Sequence, residues 1–190
     1  MNDSSEDYGD LLRRVGQGDA AARAELIERC QERLRIRVSQ MLSRFPRVRR
    51  TEGTSDVLQE VLLDLSQSLL QIAPRDMRHF LGLAGQRIRW KLLDLARRPR
   101  EIAAACAGPA EAEQTTYDPP KLAQWAEIHE YVQRLPDEER ELFDLIFYQG
   151  VPQPLVAEML HMPYRTLKRR WQEARLRFME RFGGEPFAAS

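Results

Sequence analysis

Apolar residues in this chain recur at three- and four-residue steps, and strands of alternating Val, Ile, Thr and Tyr are missing. That spacing gathers apolar side chains on one side of a helix but scatters them over both faces of a strand, so the chain is restricted to helices packed by their stripes. Leu, Ala, Arg, Glu and Gln dominate, and all are good helix formers. The expected fold class is all-α.

Proline and glycine cut the pattern into pieces. Tyr8, Leu11, Leu12 and Val15 predict a short helix ended by Gly16 and Gly18, after which Asp19 is a good N-cap. Ile27, Cys30, Leu34, Val38, Met41 and Phe45 mark a long second helix that Pro46 stops. A loop rich in arginine (Arg44, Arg47, Arg49, Arg50) leads to Gly53, and Thr54 or Ser55 caps a third helix with Val57, Leu58, Val61, Leu62, Leu65 and Leu69 on its apolar side. Pro74 breaks it. The fourth runs from Met77 to Arg98, with Phe80, Leu83, Ala84, Ile88, Leu92 and Leu95 buried, and Pro99 marks its end. Residues 99–121 are small or proline-rich and have little to bury, as in a flexible linker. The expected organisation is a four-helix domain over residues 1–98, a linker over 99–121 and a second small helical domain over 122–190.

The second domain carries a sharper pattern. Trp125, Ile128, Tyr131 and Val132 start a helix that ends near Leu135 and Pro136. Asp137 is expected to cap the next, with Glu138 and Glu139 in a first turn whose dipole favours acid. Gly150 is a C-cap candidate. Val156, Ala157, Leu160, Met162 and Leu167 then stand where two steeply crossed helices meet, and Ala157 is small at the crossing. His161, Met162 and Pro163 form the turn. A positive φ is common at its first residue, which His tolerates better than most. This is a helix-turn-helix. In its second helix, from about Tyr164 to Arg181, the residues Arg165, Thr166, Lys168, Arg169 and Gln172 occupy the half that enters a DNA major groove, while Arg170 and Arg175 suit phosphates and Trp171 faces the core.

The net charge is zero, from 29 basic and 29 acidic residues. Yet residues 163–181 hold seven Arg or Lys against two Glu. A neutral protein with one basic helix suggests DNA binding that needs a partner's help. The two cysteines, Cys30 and Cys106, have no metal spacing, and the histidines His79, His129 and His161 pair with no Cys, Ser or carboxylate at ligand or triad spacing. No catalytic site, metal or cofactor is expected. The acidic Met1–Asp10 segment is unlike a signal peptide and no stretch is apolar enough to span a membrane, so a cytoplasmic protein is expected.

Two motif sets, in order, resemble one family. Leu135-Pro136-Asp137-Glu138-Glu139-Arg140-Glu141-Leu142-Phe143, then Phe147-Tyr148-Gln149-Gly150, Val156-Ala157-Glu158-Met159-Leu160 and Thr166-Leu167-Lys168 resemble region four of extracytoplasmic-function sigma factors of the sigma-70 family. Ser55-Asp56-Val57-Leu58-Gln59-Glu60-Val61 resembles the region-two helix that docks on RNA polymerase. Ile88 through Arg98 is similar to the helix that approaches the downstream promoter element. The resemblance spans about residues 8–181. It implies a non-catalytic protein that binds core RNA polymerase, carries it to double-stranded promoter DNA, reads the upstream element with the second domain and helps melt the downstream one. It also admits an anti-sigma factor as a partner.

On that resemblance, Asp56, Gln59, Glu60 and Asp64 form the polymerase-binding side of the third helix, where like charges at four-residue spacing gain from a basic partner. Arg87, Trp90, Lys91, Asp94, Arg97 and Arg98 share a side of the fourth helix that suits melting DNA, where cations meet phosphates and bases stack on rings; Asp94 and Arg98 can instead pair with each other. Trp90 stands where the family commonly has Asn, and Glu173 where a basic residue is frequent. Three other readings stay open: a free-standing regulator binding a palindrome as a dimer, an enzyme, and a sigma-like module that no longer directs transcription.

Overall fold

The computed structural model describes residues 3–43, 53–105 and 119–183. Phe45, Pro46, the arginine-rich loop and Cys106 lie outside them. The described residues are helical and contain no strand. The helices are α1 (Asp3–Gly16), α2 (Ala20–Ser43), α3 (Thr54–Gln71), α4 (Met77–Ala105), α5 (Pro119–Arg134), α6 (Asp137–Leu142), a π-helix (Phe143–Tyr148), α7 (Gln153–Met159) and α8 (Tyr164–Phe182). Contacts group the chain into two compact units, Met1–Lys91 and Leu92–Ser190, so the division falls within α4.

In the first unit α1 and α3 both pack on α2. Asp19 caps α2 as its position demands: its carboxylate accepts the amides of Ala21 at 2.9 Å and Ala22 at 3.0 Å. Arg14 donates to the same side chain at 2.8 Å. These bonds hold the Asp19 carboxyl below its usual range, the Ala22 amide foremost. The core side of α2 is Ala22, Leu26, Cys30, Leu34, Val38, Met41 and Leu42. Leu26 takes the place expected of Ile27, which is half-buried; both fit a helical step, and packing chose between them. Burial raises the Cys30 thiol pKa. At α3, Gly53 rather than Thr54 or Ser55 holds the N-cap position, without a side-chain bond.

Helix α4 does not stop at Pro99 but continues to Ala105. Proline forfeits one amide bond and strains its turn, but the residues after it, Arg100, Glu101, Ile102 and three alanines, favour helix. The described part of α5 opens at Pro119, so both helices enter the stretch read as linker, and residues 106–118 lie outside the described ones.

The second unit is built around aromatic rings. Phe143 meets Trp171 edge-on at 5.1 Å, Phe178 is tilted against Phe143 at 5.8 Å, and Tyr131 meets Phe182 edge-on at 5.5 Å. Such edge contacts add to the area these rings bury. Pro136 is the N-cap of α6, so Asp137 begins the helix instead of capping it. The π-helix that follows was not anticipated. Its wider turn accompanies a buried polar group: Asp144, Gln149 and His129 are buried, and His129 Nδ1 lies 2.6 Å from the Tyr148 hydroxyl. Gly150, at φ 63°, turns the chain out of this segment.

Candidate nucleic-acid interface

Helices α7 and α8 form the helix-turn-helix. Val156, Ala157 and Leu167 are buried where the two cross, with Ala157, 3% exposed, the small side chain of the three. The turn is closed by the amide of Met162 donating to the Ala157 carbonyl at 3.0 Å. His161 has φ 50°, the only non-glycine positive φ among the described residues, at the position where the turn calls for it. Pro163, at φ −57°, is the N-cap of α8, and Gly183 at φ 75° ends it. Leu167, Trp171, Ala174, Phe178 and Phe182 anchor the inner side of α8.

The opposite side carries the candidates. Arg165, Lys168, Arg169, Arg170 and Gln172 are exposed, and Thr166 and Arg175 are half-buried. Tyr164, which the sequence reading passed over, is 47% exposed at the first residue of α8. Its hydroxyl can donate to a phosphate, and an exposed aromatic at a helix start was the only signal for it.

The cations of α8 do not all stand alone. Arg169 bonds Glu173 at 3.4 Å, Arg170 bonds Glu138 at 3.1 Å, and Arg177 bonds Glu139 at 2.9 Å. The last bond raises the pKa of the Arg177 guanidinium. Two of these three pairs join α8 to the acidic first turn of α6. Arg165 and Lys168 form no ion pair among the described residues.

On α4 the six candidates separate. Arg87, Trp90, Asp94 and Arg97 follow one another at steps of three and four along one side. The Arg87 guanidinium lies 4.4 Å from the Trp90 ring centre, and Trp90 is 39% exposed. Lys91 is turned inward instead, buried and ion-paired with Glu60. Its position explains this: Lys91 follows Ile88 by three and precedes Leu95 by four, on the edge of the apolar stripe. Arg89 is wholly buried as well. Arg97 pairs with Glu130 at 2.6 Å. The side chain of Arg98, and with it the expected Asp94–Arg98 pair, lies outside the described residues.

On α3, Asp56, Gln59, Glu60 and Asp64 are all exposed, opposite the buried Val57, Leu58, Val61, Leu65 and Leu69. Leu63 at 58% and Leu70 at 65% exposure join that outer side. The structure therefore draws Glu60 of this set and Lys91 of the α4 set into one ion pair.

Among the described residues, an all-helical fold with a helix-turn-helix and an exposed basic side on its second helix defines the class of DNA-binding proteins. The profile of the ECF sigma factor family matches residues 5–182, and the chain belongs to that family. Membership makes it a DNA-binding and RNA-polymerase-binding protein of transcription initiation. No curated protein matches the chain. Among the described residues no helix is long and apolar enough to cross a membrane.

Proposed function

We propose that this sigma factor docks on core RNA polymerase through the outer side of α3, reads the upstream promoter element with the first half of α8, and meets the downstream element with the Arg87–Trp90–Asp94–Arg97 side of α4. Residues 1–98 and 122–190 act as separate modules on the two elements, with the intervening stretch as linker, and the protein works in the cytoplasm, where polymerase and DNA are.

The observation that carries the reading is the presentation of Arg165, Lys168, Arg169 and Gln172 on the open side of a helix that is fixed from behind by Leu167 and Trp171. Arg and Lys suit guanine edges and Gln suits adenine. Zero net charge supports dependence on polymerase, since phosphate attraction supplies most sequence-independent affinity.

In vitro transcription tests this. The protein is added to bacterial core polymerase with a genomic DNA library, and transcript starts are sequenced. Starts that depend on the protein and share two motifs at a fixed spacing are expected. Polymerase binding without specific starts would support a module that has lost promoter activity. Absence of polymerase binding would return the protein to a free-standing regulator.

A further inference from the structure

The seven cations of α8 fall into groups that chemistry distinguishes. Arg165 and Lys168, in the half expected to reach base edges, carry no ion pair among the described residues. Arg169, Arg170 and Arg177 each face a carboxylate: Glu173, Glu138 and Glu139. Glu138 comes from a different helix and is itself 81% exposed. Beside Arg170, its carboxylate would oppose a phosphate drawn to that guanidinium.

Phosphate contacts hold a protein on any sequence, and base contacts select one. A guanidinium already matched by a carboxylate must exchange that partner for phosphate, and the released carboxylate then faces the negatively charged duplex. The cost falls on every sequence alike. It leaves untouched the base contacts open to Arg165 and Lys168.

Resting on the reading of α8 as the upstream-element helix, we propose that Glu138 is a specificity determinant. It cancels the sequence-independent attraction of Arg170, so that the protein discriminates by base contacts instead of settling on arbitrary DNA.

The test compares the wild-type chain with a Glu138→Gln variant. Each is titrated, alone and with core polymerase, onto two labelled duplexes: one carrying the upstream element found by transcript-start mapping, the other a scrambled version. The variant is expected to bind the scrambled duplex about threefold more tightly, and its log-affinity against log-salt slope to steepen by about one for the one cation released. Affinity for the true element should rise less, so that the ratio between the two duplexes falls about twofold. Glu180→Gln removes an α8 carboxylate that has no cation partner among the described residues, and should leave the ratio unchanged. An equal rise on both duplexes, a fall on both, or the same effect from Glu180→Gln would overturn the proposal. If the wild-type chain itself prefers neither duplex, the reading of α8 fails as well. If it discriminates and the Glu138→Gln variant matches it, this proposal alone fails.

Discussion

The ammonium group of Lys91 on α4 is ion-paired with the carboxylate of Glu60 on α3, although Lys91 is 4% exposed and Glu60 nearly half exposed. The pair ties the helix proposed to meet polymerase to the helix proposed to meet melting DNA. Taking the carboxylate from a buried ammonium costs more than replacing the ammonium by an apolar chain of similar length. Glu60→Ala is therefore expected to lose about 1–3 kcal/mol in urea unfolding, and Lys91→Met less than about 1 kcal/mol. A larger loss from Lys91→Met would mean that the charge itself, rather than its compensation, stabilises this unit.

Because Glu60 has this internal role, charge reversal there confounds docking with folding. Asp56→Lys with Asp64→Lys changes the same side of α3 while leaving Glu60 and Lys91 themselves in place. Unfolding midpoints should stay close to wild type, while affinity for core polymerase, measured by titration of labelled protein, should fall about tenfold or more. Unchanged affinity would remove this side of α3 from the interface.

At α8, Lys168→Ala with Arg169→Ala is expected to abolish transcription from the cognate promoter and leave polymerase binding intact. Each lost base contact is worth about 1–3 kcal/mol, so the two together remove about 2–6 kcal/mol, much of the roughly 4–10 kcal/mol that separates a specific site from arbitrary DNA. Full transcription by the double variant would count against the recognition-helix assignment.

Trp90 offers a direct optical probe. Trp125 and Trp171 are buried at 5% and 6% exposure, so the solvent-exposed part of the tryptophan emission belongs to Trp90. Single-stranded DNA of the downstream element should quench that part, and Trp90→Ala should weaken binding to a pre-melted template by about 1–3 kcal/mol, with Trp90→Phe intermediate. Emission indifferent to the oligonucleotide would place Trp90 away from the bases.

Asp19 makes acid stability predictable. Its folded-state pKa is lowered, mainly by the Ala22 amide and then by Arg14. A depressed carboxyl contributes stability above its unfolded pKa of about 3.9, and that contribution disappears as pH falls through the lower folded value. Asp19→Asn should therefore lower the melting temperature of the first unit by a few degrees near neutral pH. The difference from wild type should shrink as pH drops below about 4. A difference constant with pH would assign the effect to hydrogen bonding without charge.

Local chemistry was legible wherever neighbours in sequence settle it. The three- and four-residue stripes place α2, α3 and α4, Asp19 caps α2, and His161 takes the positive φ of the helix-turn-helix. Such features depend on a few adjacent residues, whose steric and hydrogen-bonding needs are the same in any fold. Where two local solutions are nearly equal, the reading failed: Gly53 and Pro136 took cap positions assigned to Thr54 or Ser55 and to Asp137, and α4 ran through Pro99. The π-helix was hidden because a one-residue widening hardly disturbs apolar spacing over six residues.

Helical character, the helix-turn-helix of the second half and the family resemblance are all written in the chain, because periodicity, turn chemistry and motif order are local properties of it. Only the tertiary fold sets which distant charges pair. Lys91 and Trp90 are adjacent on α4, yet one is buried against Glu60 while the other carries Arg87 on its ring. Arg170 meets a carboxylate 32 residues away. Ion pairs over such separations form only when packing brings two helices side by side, and no local pattern encodes the angle at which they meet.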